Sequence, residues 1–396
     1  MIDPALLQQA FVDELRELQA HDLLRTITTI DALRGVELRL GDRWLTAWCT
    51  NDYLGFSLHP RLIQAAHCAM LEWGVGARAS RLLAGSTRLH AQLEARLASY
   101  FGAEDAVVFA SGYLANLGTI PAFVGPEDAV VIDRLAHASL IDACRASRAS
   151  LRVFRHNDPT HLRTVLRRLA KARRRLIVSE GVFSMDGDTA PLPELLRVAH
   201  EHEALVYLDD AHGVFATGPQ GRGTPEVCGV PHGAMGYMGT LGKALGCQGG
   251  FVIGSRAFLD VVRNRARTFL YSTALAVPVV AAALEAVALL EDDSEPRARL
   301  ARNVQELHRQ LRAAAWCLPA HGQAPSHIVP LVVGGSHQAM RLSAGLLSRG
   351  IFVPAIRPPT VPDGTARLRI SLSALHTPQQ IQTLVQALAE ARHATD

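Results

Sequence analysis

Lys243 lies in the run Gly239-Thr240-Leu241-Gly242-Lys243-Ala244-Leu245-Gly246, directly after an apolar stretch that reads as a strand. Glycines on both sides let the backbone turn sharply and let a bulky ligand come close. An amine placed there suits Schiff-base chemistry, provided burial and nearby positive charge keep it deprotonated near neutral pH. Alternatives are few, because only Lys171 and Lys243 are lysines among 40 basic residues. The hydroxyl of Thr240 can bind a phosphate. Without its context, the same run is a surface lysine in a glycine-rich loop.

Three further stretches supply the context. Asp209-Asp210-Ala211-His212-Gly213 follows the apolar run 204–208. Carboxylates at the C-terminal end of a parallel strand face the crevice where α/β proteins bind ligands. A buried carboxylate beside a pyridine nitrogen keeps it protonated, so that the ring acts as an electron sink. His212 is placed to reach an oxygen on such a ring. Asp-x-x-His is also half of a metal site, but no second ligand cluster stands at metal spacing, and no metal is expected. Ser111-Gly112-Tyr113 forms a strand-to-helix turn, whose free N–H groups and helix dipole cradle phosphate. Many βα turns look like this one. His137, in Asp133-Arg134-Leu135-Ala136-His137-Ala138-Ser139, again follows a strand. Its imidazole is either structural or stacked flat on an aromatic ligand. Amine, carboxylate, imidazoles and phosphate cradle together suit pyridoxal 5′-phosphate (PLP).

The elements that must carry these residues are legible in the hydrophobic pattern. Short, nearly all-apolar runs at 106–109, 129–132, 151–154, 176–179, 205–208, 235–239 and 251–253 alternate with helical ones such as 191–203. This rhythm predicts an α/β domain whose mostly parallel sheet is covered on both faces. After about residue 275 the pattern changes. Helices at 277–290 and 296–315 come first. A strand at 328–333, a helix at 338–349, a strand at 367–372 and a final helix from Thr377 follow. The expected division is an N-terminal helical segment (1–45), a large cofactor-binding domain (46–275) and a smaller α+β domain (276–396).

Bulk properties fit that division. A chain of 396 residues is too long for one small core, and 48% hydrophobic with 19% charged residues suits a globular enzyme. A net charge of +3 advertises no affinity for nucleic acid or membrane. The acidic N-terminus lacks a signal-peptide pattern, and the apolar stretch 274–290 is interrupted by Pro278 and Glu285. Six scattered cysteines without a CxxC pair read as reduced thiols, so a cytoplasmic location is expected. A basic run from Arg163 to Arg175 allows a different class of protein, one that binds nucleic acid or an acidic carrier. Its simpler reading is the solvated face and end of a helix.

The ordered motifs resemble the α-oxoamine synthases, a branch of the fold-type I PLP enzymes. They run from Asn51-Asp52-Tyr53-Leu54-Gly55 through Ser80-Arg81, Gly85 and His90, Ser111-Gly112, His137-Ala138-Ser139 and Glu180-Gly181-Val182-Phe183-Ser184-Met185-Asp186-Gly187-Asp188. Asp209 to Gly213, Thr240 to Lys243, Tyr271-Ser272-Thr273 and Arg369 complete them. The stretch Arg357-Pro358-Pro359-Thr360-Val361-Pro362 is similar to the members that make 8-amino-7-oxononanoate for biotin.

The resemblance implies a seven-stranded large domain and, residue by residue, a set of roles. Lys243 would hold the cofactor and shuttle the proton. Asp209 would face the pyridine nitrogen, His212 and Ser184 the 3′ oxygen, and His137 the flat of the ring. Ser111, Gly112, Tyr113 and Thr240 would surround the phosphate. Thr273 would contact the phosphate of a neighbouring subunit, which implies a homodimer with shared active sites. Asn51, Arg369, Arg25 and Arg357 would position substrate, Arg369 by gripping the amino-acid carboxylate. The implied substrates are L-alanine and a pimeloyl thioester, of coenzyme A or of a carrier protein. A sister activity with glycine, serine or another acyl-CoA is the alternative. Arg78 and Ala79 depart from the small residues usual in the glycine-rich stretch, which leaves the acyl chain open.

Overall fold

The computed structural model describes residues 4–21, 23–318 and 325–393. After helix 4–20 the first three strands are β1 (Ala32–Arg34), β2 (Glu37–Leu40) and β3 (Arg43–Ala47). The large sheet follows, with β4 (Asp105–Phe109), β5 (Ala129–Asp133), β6 (Ser150–Phe154), β7 (Arg175–Glu180), β8 (Leu205–Asp209), β9 (Gly236–Thr240) and β10 (Gly250–Gly254). The C-terminal strands are β11 (Ile328–Gly334), β12 (Ile351–Phe352), β13 (Ala355–Ile356) and β14 (Ala366–Ser371).

All seven expected strands of the large domain form one sheet, in the order β4-β10-β9-β8-β7-β5-β6. Only β10 runs antiparallel to its neighbours. Every residue of β5 and β10 is buried. That is why these runs are continuously apolar rather than alternating: helices cover both faces of the sheet. The ladder pairs Glu180 with Asp209, and Asp209 with Met238. The carboxylates that end β7 and β8 therefore lie side by side along one edge, the C-terminal edge of the parallel strands.

Helices 277–292, 295–313, 336–348 and 378–393 and the sheet β11-β14-β13 build the C-terminal part. They match the expected pattern to within a few residues. The first 45 residues differ from expectation. Helix 4–20 is present, but β1 to β3 form a meander that β12 joins in parallel through Ile351 and Phe352. Val36 and Leu38, buried inside the meander, alternate between Gly35 and Gly41, both at φ 57°. A left-handed φ favours glycine, so this alternation between glycines was the readable sign of a hairpin. Among the described residues no helix is long and apolar enough to cross a membrane.

Candidate active site

Lys243 lies three residues beyond β9, half-buried, with Nζ 2.7 Å from His212 Nε2. Burial pulls its ammonium down to about 8, against the opposing pull of the Asp209 and Glu180 carboxylates, while Arg369 pushes the same way as burial. His212 is buried, and desolvation together with Lys243 and Arg369 holds its imidazole well below the usual range. A neutral ring orders the hydrogen bonds. His212 Nε2 accepts from Lys243, and Nδ1 donates to Tyr53 Oη at 2.6 Å. Tyr53 in turn donates to Asn51 Oδ1 at 3.1 Å. One tautomer satisfies every member of this chain.

Asp209 ends β8 and is 5% exposed. Its Oδ2 accepts from Asn116 Nδ2 at 2.7 Å and its Oδ1 from Ala211 N at 3.0 Å. Asn116 also donates to Ser139 Oγ and accepts from Tyr207 Oη, so it is fixed from three sides. Asp210 turns the other way. It is fully buried, accepting from Thr224 N and Oγ1, each at 2.7 Å, and from Tyr237 Oη at 3.0 Å. A Cβ on Gly181, Gly213 or Gly223 would come within 2.1 Å of its carboxylate oxygens. Burial raises this carboxyl to about 7.

His137 caps helix 138–146 and packs its Nδ1 2.8 Å from Ser139 Oγ, with burial lowering its basicity. Its backbone N–H donates to Glu180 Oε1 at 2.7 Å, and the N–H of Ser184 to Oε2 at 3.3 Å. Burial and the neighbouring Asp209 charge raise Glu180 well above the usual carboxylate range. The Ser184 carbonyl accepts from Arg369 Nε at 2.5 Å, and Arg369 Nη1 donates to Ser371 Oγ at 2.8 Å. Arg369 also reaches the Tyr53 hydroxyl.

Two turns meet where the sequence predicts a phosphate. Ser111 Oγ caps helix 112–123 by accepting from Leu114 N, and a Cβ on Gly112 would lie 3.7 Å from Thr240 Oγ1. Thr240 accepts from Gly242 N at 3.1 Å, which ties the lysine loop to the end of β9. N–H groups of a first helical turn have no partner within the helix and suit an anion. Tyr113 is 41% exposed and its hydroxyl bonds to Asp142.

Lys243, His212, Asp209, His137, Ser184 and Arg369 thus converge, with Asn51 joined through Tyr53. Thr273 is exposed and bridges to Ser80. Arg25 donates to Thr360 Oγ1 at 3.0 Å, against the turn that Arg357 opens, and Arg357 contacts Met340 Sδ. Tyr53, Asn116, Glu180 and Thr360 were not singled out by the sequence reading as site residues. Tyr53, Glu180 and Thr360 stand inside quoted motifs, while the bonds that Asn116 makes to Asp209 and Thr360 to Arg25 become visible only when the fold joins distant segments. Among the described residues no group of three or more metal-ligating side chains exists, and Asp209 and His212 are bonded as above. The basic run is largely consumed locally: Arg163 pairs with Glu201, Arg173 with Asp128, and Arg175 with Glu203.

The chain matches the family model for aminotransferase class I and II over residues 44–388. It is 42% identical, over 98% of its length and all of the relative's, to an 8-amino-7-oxononanoate synthase from Herminiimonas arsenicoxydans. A serine palmitoyltransferase variant from S. paucimobilis with a bound PLP–myriocin aldimine superposes with a TM-score of 0.92 at 34% identity, covering 99% of both chains. An 8-amino-7-oxononanoate synthase from Francisella tularensis gives 0.76 at 27% identity, covering 89% of this chain and 98% of that one. The chain belongs to the aminotransferase class I and II family of fold-type I PLP enzymes, in its α-oxoamine synthase branch.

Proposed function

We propose that this chain is a PLP-dependent acyltransferase that joins L-alanine to a pimeloyl thioester with loss of CO2, giving 8-amino-7-oxononanoate for biotin. The observation that carries the reading is the Lys243 amine, its pKa lowered by burial to about 8 and its Nζ held against His212 beside Asp209. The site fits the cofactor. Ser111, Gly112 and Thr240 frame an anion cradle, Asp209 offers a fixed carboxylate for a ring nitrogen, and His137, His212 and Ser184 line the rest. PLP, when bound, supplies the electron sink that makes an amino acid's α-carbon nucleophilic.

The chain's own residues do the rest. Arg369, buried and fixed to Ser184 and Ser371, presents a guanidinium for the alanine carboxylate. Lys243 Nζ takes the α proton and later returns one at the same carbon, with the neutral His212 accepting its N–H and keeping its lone pair aimed. The α-carbon then bonds to the thioester carbonyl, the thiol leaves, and the carboxylate departs as CO2. Substrate choice rests on the 42% identity to a curated oxononanoate synthase over nearly full length. The serine palmitoyltransferase superposition favours a second reading, a sister enzyme with serine and a longer acyl chain.

The dimer and the location belong to the same proposal. Leu71, Val75, Leu82, Leu83 and Tyr271 are 69–78% exposed, and the Ser80–Thr273 bridge joins two of their segments. Apolar exposure of that size marks an interface, here one between two copies that brings Thr273 to the partner's phosphate cradle. The protein works in the cytoplasm. The deciding experiment measures CO2 and free-thiol release for alanine, glycine and serine against pimeloyl and long-chain thioesters. Alanine with pimeloyl must lead; serine with a long chain would move the protein to the sister activity.

A further inference from the structure

We propose that His156 is a positioning residue for this site: bridging Asp133 and Asp188, it locks the turn that carries His137 to the loop that carries Ser184. The inference rests on the functional reading above, but its geometry stands apart from the catalytic groups. His156 follows the edge strand β6, outside every sequence motif assigned a role. Its Nδ1 lies 2.9 Å from Asp133 Oδ1 and its Nε2 2.7 Å from Asp188 Oδ2. Asn157 reinforces the same two carboxylates, with its backbone N on Asp133 Oδ2 and its Nδ2 on Asp188 Oδ2, each at 2.9 Å.

Each carboxylate governs a wall of the cofactor pocket. Asp133 ends β5, and its Oδ1 also accepts from Leu135 N, which shapes the turn into His137. The Asp188 carbonyl accepts from Phe183 N, closing the loop 183–188 around Ser184. The His156 ring meets Phe183 edge-on, with centroids 4.5 Å apart at 88°. Glu180 ties the same two walls at their inner side, through His137 N and Ser184 N. His156 is the outer tie. Without it, the loop that offers its Ser184 carbonyl to Arg369 is held by Glu180, by the Asn157 bond to Asp188 and by Arg367 on Met185 and Asp186, and loses its charged link to Asp133.

The bridge works only with both ring nitrogens protonated. Each nitrogen faces a carboxylate oxygen, and a neutral imidazole would turn one lone pair on another. The groups facing the ring are Asp133, Asp188, the Asn157 amide and the Phe183 edge; the adjacent Arg155 is paired with Asp158. Against burial, which alone would lower it, the two carboxylates hold the imidazolium up to about 10.

The test uses the PLP-loaded protein and the variants His156→Gln and His156→Phe. Phe keeps the packing on Phe183 but donates nothing; Gln donates to one carboxylate at most. Four quantities are read: PLP dissociation by visible absorbance, KM, kcat, and the His156 nitrogens by NMR against pH. Expected are a PLP Kd raised at least about fivefold and a kcat lowered about ten- to hundredfold in His156→Phe, with smaller changes of the same sign in His156→Gln. The wild-type ring should hold both protons past pH 8. Unchanged Kd and kcat in folded variants, or a ring that titrates near 6.5, would overturn the proposal. If the wild type catalysed no condensation at all, the functional reading would fall, while the PLP titration and the NMR signal would still judge His156.

Discussion

The two ends of this site are built differently. The cofactor end is set on strand termini of a buried sheet: Glu180 and Asp209 are paired across β7 and β8, and Lys243 follows β9. The acyl end, where the resemblance puts Arg25 and Arg357, is set on segments that are far apart in the chain. Arg25 bonds across 335 positions to Thr360, on a proline-rich turn outside the large sheet. A sheet edge fixes geometry to a fraction of an ångström because its ladder bonds and core packing agree. A loop contact between exposed groups fixes it weakly. The cofactor end should therefore respond to single substitutions with large, all-or-none losses, and the acyl end with graded changes in preference.

The largest effect tests the centre of the cofactor end. Lys243→Ala should lower kcat by on the order of 10³-fold or more, since a unique amine is lost. Borohydride treatment of the wild type should fix PLP on Lys243; label recovered on Lys171 would move the reactive amine to another place in the fold.

The next test separates two neighbours. Asp209→Asn should keep PLP bound while lowering kcat about 10²-fold or more, because the ring nitrogen loses its anionic partner. Asp210→Asn should behave as a packing defect. It would set an amide against Thr224 N and Tyr237 Oη and cost about 1–3 kcal/mol of stability, with kcat per folded site little changed. Equal kinetic damage from both would show that the sheet edge presents both carboxylates to the cofactor.

This pair also marks how much was legible in the sequence. The seven strands were readable because burial on both faces makes them continuous apolar runs. Asp209, as the first carboxylate after such a run, was readable with them. The partners that hold it were not. Asn116 reaches Asp209 from a helix 93 positions away, and no local pattern announces that contact. The meander 32–47 went unread because its strands are three to five residues long and carry arginines and a glutamate at exposed or half-buried positions. Thr360 as the partner of Arg25 is likewise a product of tertiary assembly, so the acyl end was the less legible half.

The pH dependence of cofactor capture gives a smaller effect. In the PLP-free protein only the neutral Lys243 amine can attack the aldehyde. With the ammonium pulled down to about 8, the capture rate should rise about tenfold per pH unit below that value and level off above it. A rate still climbing toward pH 10 would mean that burial does not depress this lysine. His156 acts in the opposite sense on stability. Its folded value is raised to about 10 from an unfolded 6.5, so its stabilisation is full below about 6.5 and is lost as pH rises through about 10. In His156→Gln the decline of the melting temperature over that window should be shallower.

The smallest effect is the one that sharpens the comparison most. If Arg357 meets the distal carboxylate of the acyl donor, Arg357→Ala should reduce kcat/KM several-fold more for pimeloyl thioester than for an uncharged acyl thioester of similar length. The expected difference is modest because Arg357 is only half-buried and its turn is held by contacts such as Met340 Sδ, not by a sheet. Exposed charge pairs contribute about 0.2–1 kcal/mol, whereas a desolvated pair contributes more, about 1.5–3 kcal/mol. Arg25→Ala should show the same preference at the lower end of that range, since Arg25 is exposed and anchored by one bond to Thr360. PLP affinity and the Lys243 capture rate should be unchanged in both variants, because the bonds from Arg25 to Thr360 and from Arg357 to Met340 involve none of the groups around the cofactor. Equal loss for charged and uncharged donors would assign Arg357 to shaping the turn. A loss of PLP affinity would show that the acyl end and the cofactor end are mechanically one unit.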